Sequence, residues 1–199
     1  MNSSSEGLNR IDQVVFGCLS TSADVLLQRR ALFVPLKNTS RSNNVTEYAS
    51  NSDFCNQTLQ SWKSDLSVPL VIDISFLLSP AKKVLIERWK FSYQRRDDVK
   101  EGRLSSIKKR IVTFLRSLYC FIRLLPGYQV LKFLSRTPHL LFELNDQELP
   151  PITKQQLESD TWKFYEFPPV FVGKGHLIVQ SCYLDSLALQ VRIFAFHYF

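Results

Sequence analysis

The stretch Leu70-Val-Ile-Asp-Ile-Ser-Phe76, followed by Val84-Leu-Ile-Glu-Arg-Trp-Lys-Phe-Ser-Tyr93, decides the fold class. In the first run, positions 70, 72, 74 and 76 are apolar and Asp73 and Ser75 stand between them. This period of two is typical of a half-buried β-strand. Ser79-Pro80 predicts a turn after it, so the two runs are expected to pair as an antiparallel hairpin.

Alternation along the second strand separates its aromatic and basic residues. One face is predicted to hold Leu85, Glu87, Trp89, Phe91 and Tyr93. The other face is predicted to hold Val84, Ile86, Arg88 and Lys90.

Two helices flank this hairpin in the sequence. From Leu8 to Leu32, apolar residues recur at intervals of three and four, which indicates a helix of some six turns. A second helix is predicted from Ile107 to Leu125, with Ser105 or Ser106 as its cap and Pro126-Gly127 as its end. Because this helix is apolar around most of its circumference, we expect it to be central and buried.

The rest of the chain predicts short strands at 140–144, 164–167, 177–183 and 187–196. The Asn- and Ser-rich segment 38–64 is expected to be a loop-rich insertion, and residues 1–7 a flexible N-terminus. Helices and a largely antiparallel sheet define an α+β fold, with one domain over residues 8–199.

The chain's positive charge is local. There are 25 Lys and Arg residues against 18 Asp and Glu residues, a net charge of +7. The segment from Gly102 to Phe142 has no acidic residue and supplies the whole excess. Its basic residues are Arg103, Lys108, Lys109, Arg110, Arg116, Arg123, Lys132 and Arg136. A general nucleic-acid coat would be basic throughout, so that class is excluded.

Motifs for catalysis and metal binding are missing from the sequence. It has no phosphate loop, dinucleotide-binding glycine motif, zinc-protease motif or nucleophile elbow. The cysteines at positions 18, 55, 120 and 182 form no closely spaced pair, and the histidines at 139, 176 and 197 have no ligand at metal-binding spacing. We therefore expect no enzyme, no metal and no cofactor. The polar N-terminus and the lack of a long apolar run predict a soluble cytoplasmic protein with reduced thiols.

Two groups of cations are candidate sites. Lys109, Arg116 and Arg123 are seven residues apart and share one stripe of the second helix, which could face an acidic partner, a phospholipid headgroup or nucleic acid. Arg88 and Lys90 share a strand face and could converge on one anion. The simpler interpretation of both groups is solvated surface charge.

Several motifs together resemble the N-terminal HORMA domain of the autophagy-related protein 13 family. Val84-Leu-Ile-Glu-Arg-Trp89 is similar to a family strand that ends in Glu-Arg-Trp, and Arg116-Ser-Leu-Tyr119 with Arg123-Leu-Leu-Pro126 is similar to the helix after it. Ile11-Asp-Gln13 and Val25-Leu-Leu-Gln-Arg29 resemble the family's first helix. Ser181-Cys-Tyr183 resembles a late strand that usually continues with Arg, where this chain has Leu184.

The resemblance implies a HORMA-like fold, with about three helices on a mainly antiparallel sheet and C-terminal strands that can clasp a partner peptide. It implies a non-catalytic adaptor of the autophagy-initiation kinase complex at the phagophore assembly site. The implied partners are proteins of that complex, the autophagy vesicle membrane protein, the lipid-kinase complex and a second HORMA protein. The family's long Ser-rich, kinase-binding tail has no counterpart in the sequence up to Phe199.

The alternative function is a basic module that binds a membrane surface or nucleic acid through Lys109, Arg116 and Arg123. In relatives, a basic pair at the place of Arg88 and Lys90 is thought to sense phosphate with help from the late-strand Arg. Since Leu184 carries no charge, we expect only weak phosphate or sulfate binding near Arg88. Arg192 is the next cation along the chain.

Overall fold

The computed structural model describes residues 10–31, 59, 63, 65–79, 82–96, 103–133, 139–145, 161–172 and 174–185. These residues form three helices: α1 (Arg10–Ala31), α2 (Leu104–Leu124) and α3 (Pro126–Phe133). They also form six strands: β1 (Leu70–Ser79), β2 (Lys82–Arg95), β3 (His139–Asn145), β4 (Trp162–Glu166), β5 (Val170–Val172) and β6 (Gly175–Leu184). The predicted flexible residues 1–7, the predicted strand 187–196 and Arg192 lie outside the described residues.

The six strands form one antiparallel sheet in the order β3-β1-β2-β6-β4, with β5 also paired to β6. β4 and β5 share the same edge of β6, β4 beside its second half and β5 beside its start. The predicted α+β class and the β1–β2 hairpin are confirmed. β5 and α3 are additional elements that the sequence pattern did not predict.

The hairpin register contains two irregularities that cancel. Ile86 is an extra residue of β2, since Ile74 pairs with Glu87 and Ser75 with Leu85. Leu78 is an extra residue of β1, since Leu77 pairs with Lys83 and Ser79 with Lys82.

The bulge at Ile86 corrects the predicted faces of β2, because an inserted residue reverses the alternation beyond it. Glu87, Trp89, Phe91 and Tyr93 share the buried face as predicted. Leu85 pairs with Ser75 and therefore lies on the face opposite to theirs, and Ile86 is 1% exposed and belongs to the core.

Helix α2 is amphipathic, which corrects the expectation that it is buried on most sides. Its buried residues lie on one face at intervals of three and four: Ile107, Ile111, Phe114, Leu118 and Ile122. The opposite face is in solvent, where Val112 is 45% exposed. Thr113 and Ser117 are also exposed, and the hydroxyl group of each donates a hydrogen bond to the backbone carbonyl four residues earlier.

The ends of α2 also differ from the prediction. Arg103 occupies the N-cap position and no side chain caps the helix, so neither Ser105 nor Ser106 does so. The helix ends at Leu124, and Leu125 adopts extended backbone angles. Pro126 ends α2 as predicted and at the same time begins α3, where a proline loses no hydrogen bond at the first helical position.

The core lies between the helices and the sheet. α1 contributes Val15, Leu19, Ala23 and Leu26, β1 contributes Leu70, Ile72 and Ile74, and α2 contributes its buried face. Rings from three strands and α2 pack edge to face within it, including Trp89 against Phe121 and Phe114 against Phe167. Such pairs add to the stabilisation that comes from apolar burial.

The predicted insertion 38–64 is described only at two residues. Leu59 and Lys63 are both helical, which the loop interpretation did not predict. Leu59 is 1% exposed and belongs to the core, and the Lys63 ammonium lies 5.5 Å from the ring centre of Phe16 on α1. Leu59 and Lys63 therefore both pack against the domain.

None of the helices in the described part of the chain combines the length and apolar character that a membrane crossing needs.

Candidate functional site

The tripeptide Glu87-Arg88-Trp89 in β2 divides its side chains between the two faces of the sheet. Glu87 and Trp89 point to the face covered by helices, called here the helix side. Arg88 points to the opposite face, called here the outer face. Register places Asp73, Arg88 and Cys182 side by side on this outer face.

Arg88 and Asp73 form a two-pronged ion pair across the hairpin. Arg88 Nε donates to Asp73 Oδ1 and Arg88 Nη2 donates to Asp73 Oδ2, each at 2.7 Å. The side chains are 19% and 8% exposed, so water screens the pair only in part. The hydrogen bonds to Asp73 raise the pKa of Arg88 above its ordinary value, although burial opposes this shift. Parallel N–H donors match a carboxylate in both charge and shape.

This ion pair changes the chemistry of the predicted anion site. One edge of the Arg88 guanidinium group, formed by Nε and Nη2, is already bound to a carboxylate. Lys90 lies on the same face, in register with Val71 and Gln180. Anion binding by Arg88 and Lys90 stays a prediction, and an anion at the Nε/Nη2 edge would compete with Asp73.

The late strand does pass beside Arg88, as the phosphate hypothesis required. Cys182 of β6 is the register partner of Arg88, and Leu184 follows two residues later. Leu184 is 1% exposed and belongs to the core cluster. Burial raises the pKa of the Cys182 thiol, and the positive charge of Arg88 lowers it in part.

On the helix side, Glu87 joins β2 to α3. Its carboxylate is buried, with 1% of the residue exposed, and accepts a hydrogen bond from Trp89 Nε1 at 3.1 Å. A methyl group at Gly127, in the first turn of α3, would collide with Glu87 Oε1. Glycine therefore permits the close approach of the helix to this carboxylate.

Ser181 of β6 is the register partner of Trp89 of β2 and of Tyr165 of β4. It is fully buried, and its hydroxyl group has no hydrogen-bond partner among the described residues. The residue is small enough to lie beside the aromatic rings, but its hydroxyl group loses its hydration there without a replacement.

The predicted stripe of Lys109, Arg116 and Arg123 lies on the solvent face of α2, and all three residues are exposed. The Arg123 guanidinium lies 5.9 Å from the ring centre of Tyr119. The structure thus brings these cations onto one line but does not converge them on one point.

Sequence reasoning missed three features of these arrangements. They are the pairing of Asp73 with Arg88, the close approach at Gly127 and the position of Glu87 against α3. The pairing of Asp73 with Arg88 follows from a two-residue connection between Ser79 and Lys82. Counting back along both strands from the Ser79–Lys82 pair brings Asp73 opposite Arg88. The Pro126-Gly127 dipeptide was interpreted only as a stop signal. Nothing local in the sequence places Glu87 against α3.

No group of three or more histidine, cysteine or acidic side chains in the described ranges could hold a metal ion.

Solved structures with the same fold define the class of this protein. The Atg13 HORMA domain has a TM-score of 0.57 and 15% identity, and the match covers 86% of this chain and 93% of that chain. A chain of the mitotic checkpoint complex has a TM-score of 0.54 and 14% identity, with coverage of 86% and 97%. HTP-2 of C. elegans, bound to the HIM-3 closure motif, has a TM-score of 0.54 and 11% identity, with coverage of 89% and 91%. The chain is a HORMA-fold protein.

Sequence comparison then supplies the family. A model of the autophagy-related protein 13 family matches residues 77–188, more than half of the chain. The matched region includes Glu87-Arg88-Trp89 and all of α2 and β6. The chain belongs to the autophagy-related protein 13 family. No curated protein matches it in a sequence search.

Proposed function

We propose that this chain is a non-catalytic recruitment domain of the autophagy-initiation kinase complex. It acts in the cytoplasm and at the phagophore assembly site by binding other autophagy proteins during autophagosome formation. The observation that carries the proposal is the family match over residues 77–188, together with a fold shared with adaptor domains.

The mode of binding we propose is capture of a short peptide from a partner. HTP-2, which has the same fold, is bound to the closure motif of HIM-3. This comparison supports a peptide-binding role because the shared architecture covers 89% of the present chain. Candidate partners are the other proteins of the initiation complex, a second HORMA protein, the autophagy vesicle membrane protein and the lipid-kinase complex.

Affinity purification of the tagged full chain from nutrient-starved cells tests the proposal. We expect initiation-complex proteins to be enriched over a tag-only control, and autophagosome number to fall when the protein is depleted. Re-expression of the wild-type chain should restore that number. Re-expression of Trp89→Ala should restore it less well, because loss of this core side chain destabilises the fold.

A surface variant provides the matched control. Phe164 is 52% exposed on the edge strand β4, so Phe164→Ala should leave the fold and stability unchanged. Autophagosome formation that is normal in depleted cells would contradict the proposed function. So would a purified wild-type chain that enriches no initiation-complex protein.

A further inference from the structure

The solvent face of α2 has the geometry of a heptad seam. Lys109, Arg116 and Arg123 recur every seven residues, and Val112 and Tyr119 each follow a cation by three residues. These five residues are called here the basic seam. Positions spaced three and four apart on a helix lie in one line, which is how one helix presents itself to another.

The segment that carries the basic seam has no acidic residue of its own. Residues 103–133, which include the whole of α2 and α3, contain no acidic residue. Within the described part of the chain, no ion pair involves Lys109, Arg116 or Arg123. Acidic residues three or four positions away stabilise a helix by pairing with its cations. Here the opposite charge must come from outside this segment.

The spacing of the cations argues against a single small anion. Fourteen residues of α-helix rise about 21 Å, so the three cations of the seam cannot all reach one phosphate group, and neighbouring cations are separated by a rise of about 10.5 Å. The same rise separates acidic residues seven positions apart on a partner helix. A helix with carboxylates at seven-residue intervals can therefore pair with all three cations at once.

The shape of the face also favours a helix over a membrane. The apolar side of α2 is buried in the core, so it cannot insert into lipid as the apolar face of a membrane-surface helix does. The seam itself offers only Val112 (45% exposed) and the partly buried Tyr119 as apolar contacts. A single row of side chains along α2 matches the shape of a helix better than the flat surface of a membrane.

We propose that the basic seam of α2 binds an acidic helical segment of a partner protein, with Glu or Asp residues at seven-residue intervals opposite Lys109, Arg116 and Arg123. Val112 and Tyr119 pack against small apolar residues between those acids. The contact of Arg123 with the Tyr119 ring holds one end of the seam in place before binding. This inference rests on the proposed adaptor function but uses a surface separate from any clasped peptide.

A synthetic helical peptide with Glu at positions 1, 8 and 15 and Leu at positions 4 and 11 is the probe. Its control has the same composition with the Glu residues moved off the heptad. Fluorescence anisotropy with the full chain should show that the heptad peptide binds and the control peptide binds at least about tenfold more weakly. Raising the salt concentration should weaken the binding.

Charge reversal locates the surface. The triple variant Lys109→Glu/Arg116→Glu/Arg123→Glu should bind the heptad peptide at least about tenfold more weakly than the wild type. A matched triple variant, Arg96→Glu/Arg110→Glu/Lys163→Glu, makes the same change of net charge at exposed residues off the seam and should retain most of the binding. Thermal unfolding of both variants confirms that each is folded.

Several results would overturn the proposal. They are a lack of peptide binding, equal binding of the two peptides, equal losses in the two triple variants, or seam-dependent binding of phosphatidylserine vesicles without peptide binding. The experiment uses no autophagy protein other than this chain. Its failure would therefore count against the basic seam alone and leave the proposed adaptor function standing, so the two failures are distinguishable.

Discussion

Adjacent residues of β2 lie in opposite environments on the two faces of the sheet. On the helix side, Trp89 is fully buried among aromatic rings and Glu87 is buried with it. On the outer face, Arg88 keeps 19% of its side chain exposed and binds Asp73. The helix side is stabilised mainly by apolar burial, whereas the outer face includes a charge pair that partial exposure makes tolerable. The tripeptide Glu87-Arg88-Trp89 is thus explained by architecture, since each of its residues has a structural partner.

The largest expected effect on the free energy of unfolding comes from removing a buried ring rather than an exposed one. Trp89→Ala on the helix side should lower the free energy of unfolding by about 3–5 kcal/mol, through lost burial and the cavity left behind. Phe164→Ala on the outer face should change it by no more than about 0.5 kcal/mol. Urea denaturation of both variants measures the difference. Equal effects would mean that the two faces are not distinguished by burial.

Loss of the ion pair on the outer face should lower the free energy of unfolding less than loss of the Trp89 ring does. Asp73→Ala leaves the partly buried guanidinium of Arg88 without its carboxylate and should cost about 1–3 kcal/mol. The double variant Asp73→Ala/Arg88→Ala should be less destabilised than the sum of the two single variants. Additive losses in that double-mutant cycle would show that the two residues act independently.

The contact between Glu87 and α3 predicts a context-dependent effect at Gly127. Gly127→Ala should destabilise by about 1–3 kcal/mol because the new methyl group meets the buried carboxylate. In a Glu87→Ala background the same substitution should be neutral or stabilising, since alanine is the better helix former. A loss of the same size in both backgrounds would place the conflict elsewhere than at Glu87.

The smallest effect has the opposite sign. Ser181→Ala removes a buried hydroxyl group that has no partner among the described residues, so it should raise the free energy of unfolding by about 1 kcal/mol. Ser92→Ala is a useful comparison, because the Ser92 hydroxyl group donates to the Ile178 carbonyl, at 3.5 Å. A destabilised Ser181→Ala variant would indicate a hydrogen bond to this hydroxyl group.

Local pattern was sufficient for the elements and the fold class. The alternation from Leu70 to Phe76 and the three-four spacing from Val15 to Leu27 each depend on neighbours in the chain, so the sequence contains the whole signal. The order of those elements led to the α+β class. The motifs Glu87-Arg88-Trp89 and Arg123-Leu-Leu-Pro126 indicated the family, and the family model confirms it over residues 77–188.

Tertiary structure alone decided which residues meet. The bulge at Ile86 changes the face of Leu85, and a bulge depends on how two strands pair rather than on one strand's pattern. The amphipathic character of α2 was obscured because its exposed side carries apolar residues such as Val112 and Leu124. The ion pair of Arg88 with Asp73 and the contact of Glu87 with Gly127 join residues that are 15 and 40 positions apart in the chain. Sequence supplied these charges and their spacing, but only long-range packing determined which were neutralised and which, along α2, were left facing solvent.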